Sequence, residues 1–287
     1  MFLALFETLR LPKYHTYVQA TLTRPTTYLA NLDLHSWLQR IAFLTGGYEA
    51  GTVRFLLRLS RSHEKTGYLL DIGANVGLIS IPFALSVASH GEETVRVVSV
   101  EAVADNYQAL IANVALNALN AAILVVPVAL GDVSKMVEVQ VEGDLRPGEG
   151  TGTGSILPDD STYECERQSL HLETLDSLLE SGRIPRGCSV VKIDTDGYDL
   201  KILQGASKLM SLERPVIFGE FSSTCMGWHG QSVADVVDLA VAHDYAVWSK
   251  EGSSWTFSST IPSEGFDRDL LLLPEESTNA FQWCLHR

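Results

Sequence analysis

The chain has 287 residues, of which 46% are hydrophobic and 20% charged, and it carries a formal net charge of −14. This is the composition of a globular protein with enough length to bury a sizeable core. The acidic excess argues against nucleic acid as a partner, because a surface that binds a duplex normally carries a basic excess. The sequence contains no block of basic residues that would bind an anionic membrane surface, and no stretch has the length of a transmembrane helix.

The cysteines do not indicate a disulfide framework or a thiolate zinc site, because they are widely scattered and form no CxxC pair. They are Cys165, Cys188, Cys225 and Cys284. We therefore expect reduced thiols in a cytoplasmic protein.

The first residues begin as an apolar run, but Glu7 interrupts it and no basic region precedes it, which is not typical of a signal peptide. Four apolar residues could share one helical face: Phe2, Leu5, Phe6 and Leu9. This pattern predicts a helix packed on the core or on a second subunit of a homodimer, in preference to a membrane.

Residues 1–65 are predicted to form a mainly helical N-terminal extension or lid. Apolar residues recur at helical spacing over 34–44 and 52–59, and Gly46-Gly47 forms a break between them. From residue 66 the character of the sequence changes, which predicts that 66–287 form the main domain.

Strands alternate with helices through residues 68–220. Strands are predicted at 68–70, 95–100, 122–128, 136–141, 169–173, 189–193 and 216–220, and helices at 78–89, 106–116, 175–179, 199–210 and 233–243. This alternation predicts an α/β fold with a doubly wound, mostly parallel, Rossmann-like sheet. Closely spaced β-prone runs at 246–249, 255–257 and 270–273 predict an antiparallel edge, and the Gly-, Pro- and Asp-rich run 144–160 predicts a mobile loop.

A glycine-rich turn, DIGANVGLIS, spans Asp71 to Ser80 between a predicted strand and a helix. Gly73 and Gly77 allow a tight turn and close approach of a ligand to the backbone, as in a nucleotide-type pocket. The dinucleotide fingerprint would place glycine at position 71, where a carboxylate would instead repel a pyrophosphate. A ligand with an ammonium, a sulfonium and no phosphate fits better, and S-adenosylmethionine is such a ligand.

Glu101 ends the next predicted strand, 28 residues beyond Gly73. A carboxylate there can accept hydrogen bonds from both hydroxyls of a ribose. The alternative is a plain strand–turn–helix with a capping acid. The turn, the spacing and the acid together favour cofactor binding.

Three acids follow two later strands: Asp194 and Asp196 in KIDTDGYDL, and Glu220 in the next block. If those strands are neighbours, the carboxylates could converge at the carboxyl edge of the sheet, where α/β enzymes place their reactions. Asp194 is our first choice as a general base or acceptor-positioning group. The acids could alternatively hold Mg²⁺, Asp196 could only cap a helix, and Glu220 could be a solvated strand end.

A loop histidine, His229, lies shortly after Glu220 in CMGWHGQS. It is a second candidate for the base, with a surface role as the alternative.

The sequence resembles the FkbM family of S-adenosylmethionine-dependent methyltransferases. Six blocks carry the resemblance in order: LLDIGANVGLIS, VVSVEAVADNYQALIANVALN, VVPVALGD, LETLDSLL, VVKIDTDGYDLKILQGA and RPVIFGEF. The resemblance implies a class I methyltransferase domain with a seven-stranded sheet whose last strand is antiparallel. It also implies transfer of a methyl group to a hydroxyl of a small natural product, sugar or glycolipid.

The resemblance also assigns cofactor-binding positions. It places Asp71, Gly73, Asn75 and Gly77 in the cofactor loop, Glu101 and the adjoining Ala102 at the ribose, Asn106 in the helix that follows, and Asp132 at the adenine ring. The sequence departs from the family where Ala102 replaces a frequent proline and Asp196 a frequent glutamate. Two alternatives remain: an NAD-dependent oxidoreductase or epimerase, and a non-catalytic protein that retains the fold.

Overall fold

The computed structural model describes residues 16–63, 67–87, 95–141, 154–155, 166–195, 197–252, 254–258, 261 and 265–285. The strands are β1 (Tyr17–Leu22), β2 (Tyr28–Asp33), β3 (Tyr68–Ile72), β4 (Val97–Val100), β5 (Ile123–Val126), β6 (Ala129–Leu130), β7 (Lys135–Val141), β8 (Gly154–Ser155), β9 (Glu166–Glu173), β10 (Cys188–Ile193), β11 (Val216–Ser222), β12 (Tyr245–Glu251), β13 (Ser254–Phe257) and β14 (Asp267–Pro274).

The helices are short and lie mostly between strands. They are α1 (Trp37–Thr45), α2 (Ala50–Ser62), α3 (Ser80–Ser86), α4 (Ala104–Leu116), α5 (Leu175–Glu180), α6 (Asp199–Gln204), α7 (Ser223–Gly227), α8 (Val233–Ala242) and α9 (Gln282–Leu285), with a π-helix at Leu209–Glu213 and a 3₁₀-helix at Glu275–Phe281. No helix in these described ranges has the length and apolar character needed to cross a bilayer.

The central sheet has the strand order β13-β12-β14-β11-β10-β3-β4-β5. Neighbours from β11 to β5 are parallel, whereas β14 is antiparallel to both β11 and β12. The predicted mostly parallel sheet with an antiparallel last strand is confirmed. The predicted count of seven strands is not, because β13 turns back on β12 as a hairpin and adds an eighth strand at the edge.

A second sheet, with the order β6-β9-β7-β8, lies outside the central one. The segments predicted as strands at 136–141 and 169–173 therefore do not continue the parallel alternation. They pair with each other in antiparallel register, with Val137 opposite Leu170. Of the run predicted as a mobile loop, 154–155 form β8, and the rest of 144–160 lies outside the described residues.

The N-terminal segment contains a strand hairpin that was not predicted from the sequence. Helices α1 and α2 form on either side of the Gly46-Gly47 break, but β1 and β2 precede them as an antiparallel hairpin. Burial alternates residue by residue along β2, which is the period of a strand and not of a helix. The helix expected around Phe2–Leu9 lies outside the described residues.

The N-terminal segment and the central sheet share one hydrophobic cluster. Leu32 of β2 and Leu56 of α2 are buried in the same cluster as Leu69 of β3 and Leu271 of β14. Phe55 of α2 also stacks on Trp255 of β13, with ring centroids 5.4 Å apart. The two parts of the chain therefore bury apolar surface against each other.

Two asparagines of the α4 region bind the outer edge of β2. The side-chain amide of Asn117 accepts a hydrogen bond from the Leu29 N–H (2.9 Å) and donates one to the Leu29 carbonyl (2.7 Å). Asn113 does the same with Asn31, at 2.7 and 3.3 Å. Four residues of helix rise about 6 Å and two residues of strand about 6.6 Å, so the two spacings match.

Candidate active site

The glycine-rich turn between β3 and α3 depends on its glycines. Gly73 and Gly77 have φ values of 76° and 91°, in the left-handed region, and Asn75 has a φ of 48°. A Cβ on Gly73 would lie 2.0 Å from the Asp194 carbonyl oxygen, and a Cβ on Gly77 would lie 2.7 Å from a Leu110 methyl. The turn is thus pressed against β10 on one side and α4 on the other, and only glycine allows both contacts.

Glu101 follows β4 and ties the turn to the neighbouring strand. One carboxylate oxygen accepts a hydrogen bond from the Asn75 N–H (2.8 Å), and the other accepts one from the Val103 N–H (2.9 Å). Burial raises the pKa of Glu101, against the N–H groups of Val103 and Asn75 and the side chain of Asn106, which favour the charged form. Ala102 is half-buried beside it, and Asn106 is buried in the first turn of α4.

Asp71 lies beneath the turn and is fully buried. The Ser80 hydroxyl donates a 2.5 Å hydrogen bond to Oδ2, while Oδ1 has no hydrogen-bond partner among the described residues and lies 3.7 Å from Nζ of Lys192. Burial raises the pKa of Asp71, and Lys192 opposes that shift. From the sequence, the carboxylate at position 71 was expected to favour a cationic ligand. In the folded chain, the cation beside Asp71 is Lys192.

Lys192 is a site residue that the sequence reasoning missed. It is buried on β10, and its Nζ lies 3.1 Å from Oδ2 of Asp194 in addition to facing Asp71. Burial lowers the pKa of Lys192, but Asp194 and then Asp71 outweigh burial, so that the pKa ends above its usual value. A signal was present, since residues 192 and 194 of one strand point to the same side.

The strand register brings the predicted acids together. Ile193 of β10 pairs with Ile72 of β3 and with Gly219 of β11, so β10 and β3 end level with Gly219, whereas β11 continues for three more residues. Asp194, directly after β10, and Glu220, directly after Gly219 within β11, consequently lie at the same level of neighbouring strands, and both are exposed to solvent. The structure places these two residues in the walls of the same cavities, whereas Asp196 lies outside the described residues.

Two adjoining cavities lie at this edge, with volumes of about 250 and 270 Å³. The first contains the glycine turn in its wall, and the second contains Phe218, Lys250 and Asp269. Four residues line both: Glu49, Lys192, Asp194 and Glu220. Glu49 comes from the N-terminal segment, where no sequence motif had indicated a contribution to the site.

Asp199 fixes the turn that follows Asp194. Its Oδ1 accepts hydrogen bonds from the N–H and hydroxyl of Thr195 at 3.0 and 2.8 Å, and its Oδ2 accepts one from the Gly197 N–H at 3.1 Å. Burial raises the pKa of Asp199 from 3.8 to about 6. Asp199 thus holds the turn in place through these hydrogen bonds. From the sequence, a structural role of this kind, as a helix cap, had been considered only for Asp196.

His229 packs edge-on against Tyr198, with ring centroids 5.1 Å apart. Burial, and then the charge of Lys201, lowers the pKa of His229. In the described part of the chain, His229 is not among the residues that line either cavity. His229 therefore does not share the two cavities that Asp194 and Glu220 line.

Asp132 follows β6 and lies near the ring of Tyr198. Its Oδ1 is buried and has no hydrogen-bond partner among the described residues. Burial, with a contribution from Asp132, raises the pKa of Tyr198 to about 12. A buried, unsatisfied acceptor fits a ligand that offers an N–H group, such as the amino group of an adenine ring.

The Mg²⁺ alternative gains no support from the geometry. Within the described ranges, no group of three His, Cys, Asp or Glu side chains could hold a metal ion. The Asp194 carboxylate already has a cationic partner in Lys192.

Comparison with known proteins places this arrangement in a family. The sequence profile described as the methyltransferase FkbM domain matches residues 71–246. None of the curated proteins compared with the chain matches it.

Solved structures give distant likenesses. A methyltransferase FkbM from Methylobacillus flagellatus KT is 18% identical, with a TM-score of 0.43, over 72% of this chain and 43% of that chain, so this chain spans less than half the length of that relative. The O-methyltransferase TomG from Streptomyces achromogenes, involved in tomaymycin synthesis and solved with SAM, is 14% identical, with a TM-score of 0.44, over 79% and 81% of the two chains. An O-methyltransferase from Bacillus cereus, solved with SAH, is 16% identical, with a TM-score of 0.41, over 78% and 80%.

The profile match covers more than half of the chain. It begins at Asp71 of the glycine turn and includes Glu101, Asp194 and Glu220. The chain belongs to the FkbM methyltransferase family.

Proposed function

We propose that the protein transfers a methyl group from S-adenosylmethionine to a hydroxyl oxygen of a small polar acceptor. One observation carries the proposal: a single cavity contains the glycine turn after β3, Asp194 after β10 and Glu220 of β11. A cofactor seated on the turn would have its reactive end beside those acids, as expected at the carboxyl edge of an open α/β sheet.

The cofactor would bind along the turn and the two strand ends next to it. Gly73, Asn75 and Gly77 shape the backbone against it, with Asp71 supporting them from below. Glu101 would accept hydrogen bonds from the ribose hydroxyls, with Ala102 and Asn106 beside it. The unsatisfied Oδ1 of Asp132 would receive the adenine amino group.

The bound cofactor supplies an electrophilic methyl group on a sulfonium. The protein has to orient the acceptor hydroxyl in line with that methyl and remove its proton. Because Lys192 engages Oδ2 of Asp194, Oδ1 is the atom that would take the proton, with Glu220 as the neighbouring acid. Lys192 itself stays protonated and holds Asp194 in place, while Asp196 and His229 remain candidates for a supporting role.

The acceptor would occupy the second cavity. Its wall is mostly charged, with Phe218 and Ile193 as apolar members, and its volume of about 270 Å³ suits a small molecule. A hydroxyl-bearing natural product, sugar or glycolipid head group fits such a wall better than an apolar chain does.

No observation favours the NAD-dependent alternative over a methyltransferase. Position 71 carries a buried carboxylate in place of the first glycine of the dinucleotide fingerprint. Only a measurement of methyl transfer distinguishes an enzyme from a non-catalytic protein that retains the fold.

Calorimetry with S-adenosylhomocysteine tests the proposal most directly. We expect saturable binding by the wild type, and loss of binding in Glu101→Ala, because the ribose partner is removed. NAD serves as the matched control ligand. Binding of NAD, or no heat with S-adenosylhomocysteine at high micromolar concentration, would reject the proposal.

Turnover is then measured as transfer of labelled methyl to a panel containing methyl glucoside, methyl rhamnoside and glycerol, with matched amines to separate oxygen from nitrogen as the acceptor. Repeating the assay in EDTA decides the metal alternative. Transfer that persists in EDTA would exclude activation of the hydroxyl by Mg²⁺.

A further inference from the structure

Glu49 occupies a backbone conformation that favours glycine. It precedes α2 as its N-cap with φ 41° and ψ 45°, in the left-handed region, and its side chain makes no capping hydrogen bond. A side chain larger than asparagine is uncommon there, and such residues concentrate at functional sites. Glycine would satisfy this backbone without strain.

The turn before Glu49 is held rigidly by the β1–β2 hairpin. The Thr23 and Arg24 N–H groups both donate to the Gly46 carbonyl at 2.8 Å. A Cβ on Gly47 would lie 2.3 Å from the Arg24 carbonyl oxygen. Tyr48 and Glu49 are therefore presented to the cavity by a fixed backbone and not by a flexible connection.

The chemistry around Glu49 suits a cationic ligand. Tyr48 lines the cavity of the glycine turn beside it, and burial, followed by the Glu49 and Asp194 carboxylates, raises the pKa of Tyr48. The phenol thus keeps its proton and can hydrogen-bond to Glu49. Lys192 interacts first with Asp194 and Asp71 and more weakly with Glu49, so a single lysine faces three carboxylates.

We infer that Glu49 recognises the α-ammonium group at the amino-acid end of the cofactor. This inference rests on the proposed use of S-adenosylmethionine. Three carboxylates line the cavity of the glycine turn, and two of them, Asp194 directly after β10 and Glu220 within β11, lie where the acceptor would be activated. Glu49 is the one supplied by the N-terminal segment, outside the residues that the family profile matches.

The test compares two ligands that differ in the amino-acid end. S-adenosylhomocysteine carries the ammonium, whereas 5′-methylthioadenosine keeps the adenosine and lacks the amino acid. For Glu49→Gln we expect calorimetry to show about tenfold weaker binding of S-adenosylhomocysteine, because a hydrogen bond to a charged group is lost. Binding of 5′-methylthioadenosine should change less than about twofold. Glu180→Gln, a matched change at an exposed acid that lines neither cavity, should alter neither affinity.

Unchanged binding of S-adenosylhomocysteine by Glu49→Gln, or an equal loss for both ligands, overturns the inference and leaves the proposed function intact. Failure of the wild type to bind S-adenosylhomocysteine overturns both.

A second variant, Glu49→Gly, separates recognition from folding. It should weaken the binding of S-adenosylhomocysteine as much as Glu49→Gln does. It should also raise the midpoint of thermal unfolding of the ligand-free protein by about 1–3 °C, because the strain of the left-handed backbone is relieved. A lowered midpoint would show that Glu49 serves the fold, and would overturn the argument.

Discussion

The carboxylate of Asp194 is oriented before any ligand arrives. Lys192 engages Oδ2, and the neighbouring strands place Glu220 and the glycine turn at the same level. An acid held in this way loses little entropy when it meets an acceptor hydroxyl.

We expect Asp194→Ala to abolish methyl transfer, with a loss of at least about 100-fold, while the dissociation constant of S-adenosylhomocysteine changes less than about threefold. Labelled-methyl transfer and calorimetry measure the two effects. Glu180→Ala, at an exposed acid that lines neither cavity, is the control. Full activity of Asp194→Ala would remove this residue from the chemistry.

Asp199 should make folding stability depend on pH. Its pKa is raised from 3.8 to about 6, so the folded state binds the proton more tightly than the unfolded state. Its contribution to stability is therefore fully present below pH 3.8 and is lost as the pH rises through 6. Relative to Asp199→Asn, the wild type should lose up to about 3 kcal/mol between pH 4 and 7. Urea unfolding at a series of pH values measures this difference, and a constant difference would contradict it.

The turn between β3 and α3 connects two parts of the site mechanically. Gly73 touches the Asp194 carbonyl, so any side chain at position 73 has to separate β3 from the end of β10. The cofactor loop and the strand-end acid therefore hold their spacing through a direct backbone contact.

Gly73→Ala should cost more than about 2 kcal/mol of unfolding free energy and weaken S-adenosylhomocysteine binding, because strain and a backbone clash add. Gly182→Ala is a matched control, since its φ of 72° is close to the 76° of Gly73 but its Cβ would meet nothing within 4 Å. The control should cost about 1 kcal/mol and leave binding unchanged. Equal costs for the two variants would show that the contact with Asp194 contributes nothing.

Stable folding of the whole chain depends on its N-terminal segment. We proposed from the sequence that 1–65 form an extension and 66–287 the catalytic domain. The described part of the extension, however, buries Leu32 and Leu56 in the same cluster as the central sheet and packs Phe55 against it. A fragment of residues 66–287 would expose one side of that cluster to water.

We therefore expect the 66–287 fragment to lose cooperative unfolding and to elute as aggregates, whereas the full chain unfolds in one transition. Circular dichroism during heating and size-exclusion chromatography report the two properties. A monomeric fragment that binds S-adenosylhomocysteine would instead establish an independent domain.

Most of the central sheet could be predicted because its strands are apolar runs bounded by turns, and local periodicity is enough to locate them. The acids at residues 194 and 220 were predicted for the same reason, since both follow such runs directly. The hairpin at 17–33 was missed because β1 is largely exposed and β2 buries only alternate residues, so neither strand is a continuous apolar run. The Lys192–Asp71 pair and Glu49 could not be found, because each depends on contacts between segments far apart in the sequence.

Asn113 and Asn117 have one more consequence. A strand at the rim of a sheet offers unpaired N–H and carbonyl groups, which invite pairing with another molecule and hence aggregation. The two side-chain amides satisfy those groups at Leu29 and Asn31 and leave no room for an incoming strand. In this protein, helix side chains thus protect a small hairpin against intermolecular β-pairing, a task that barrels achieve by closure.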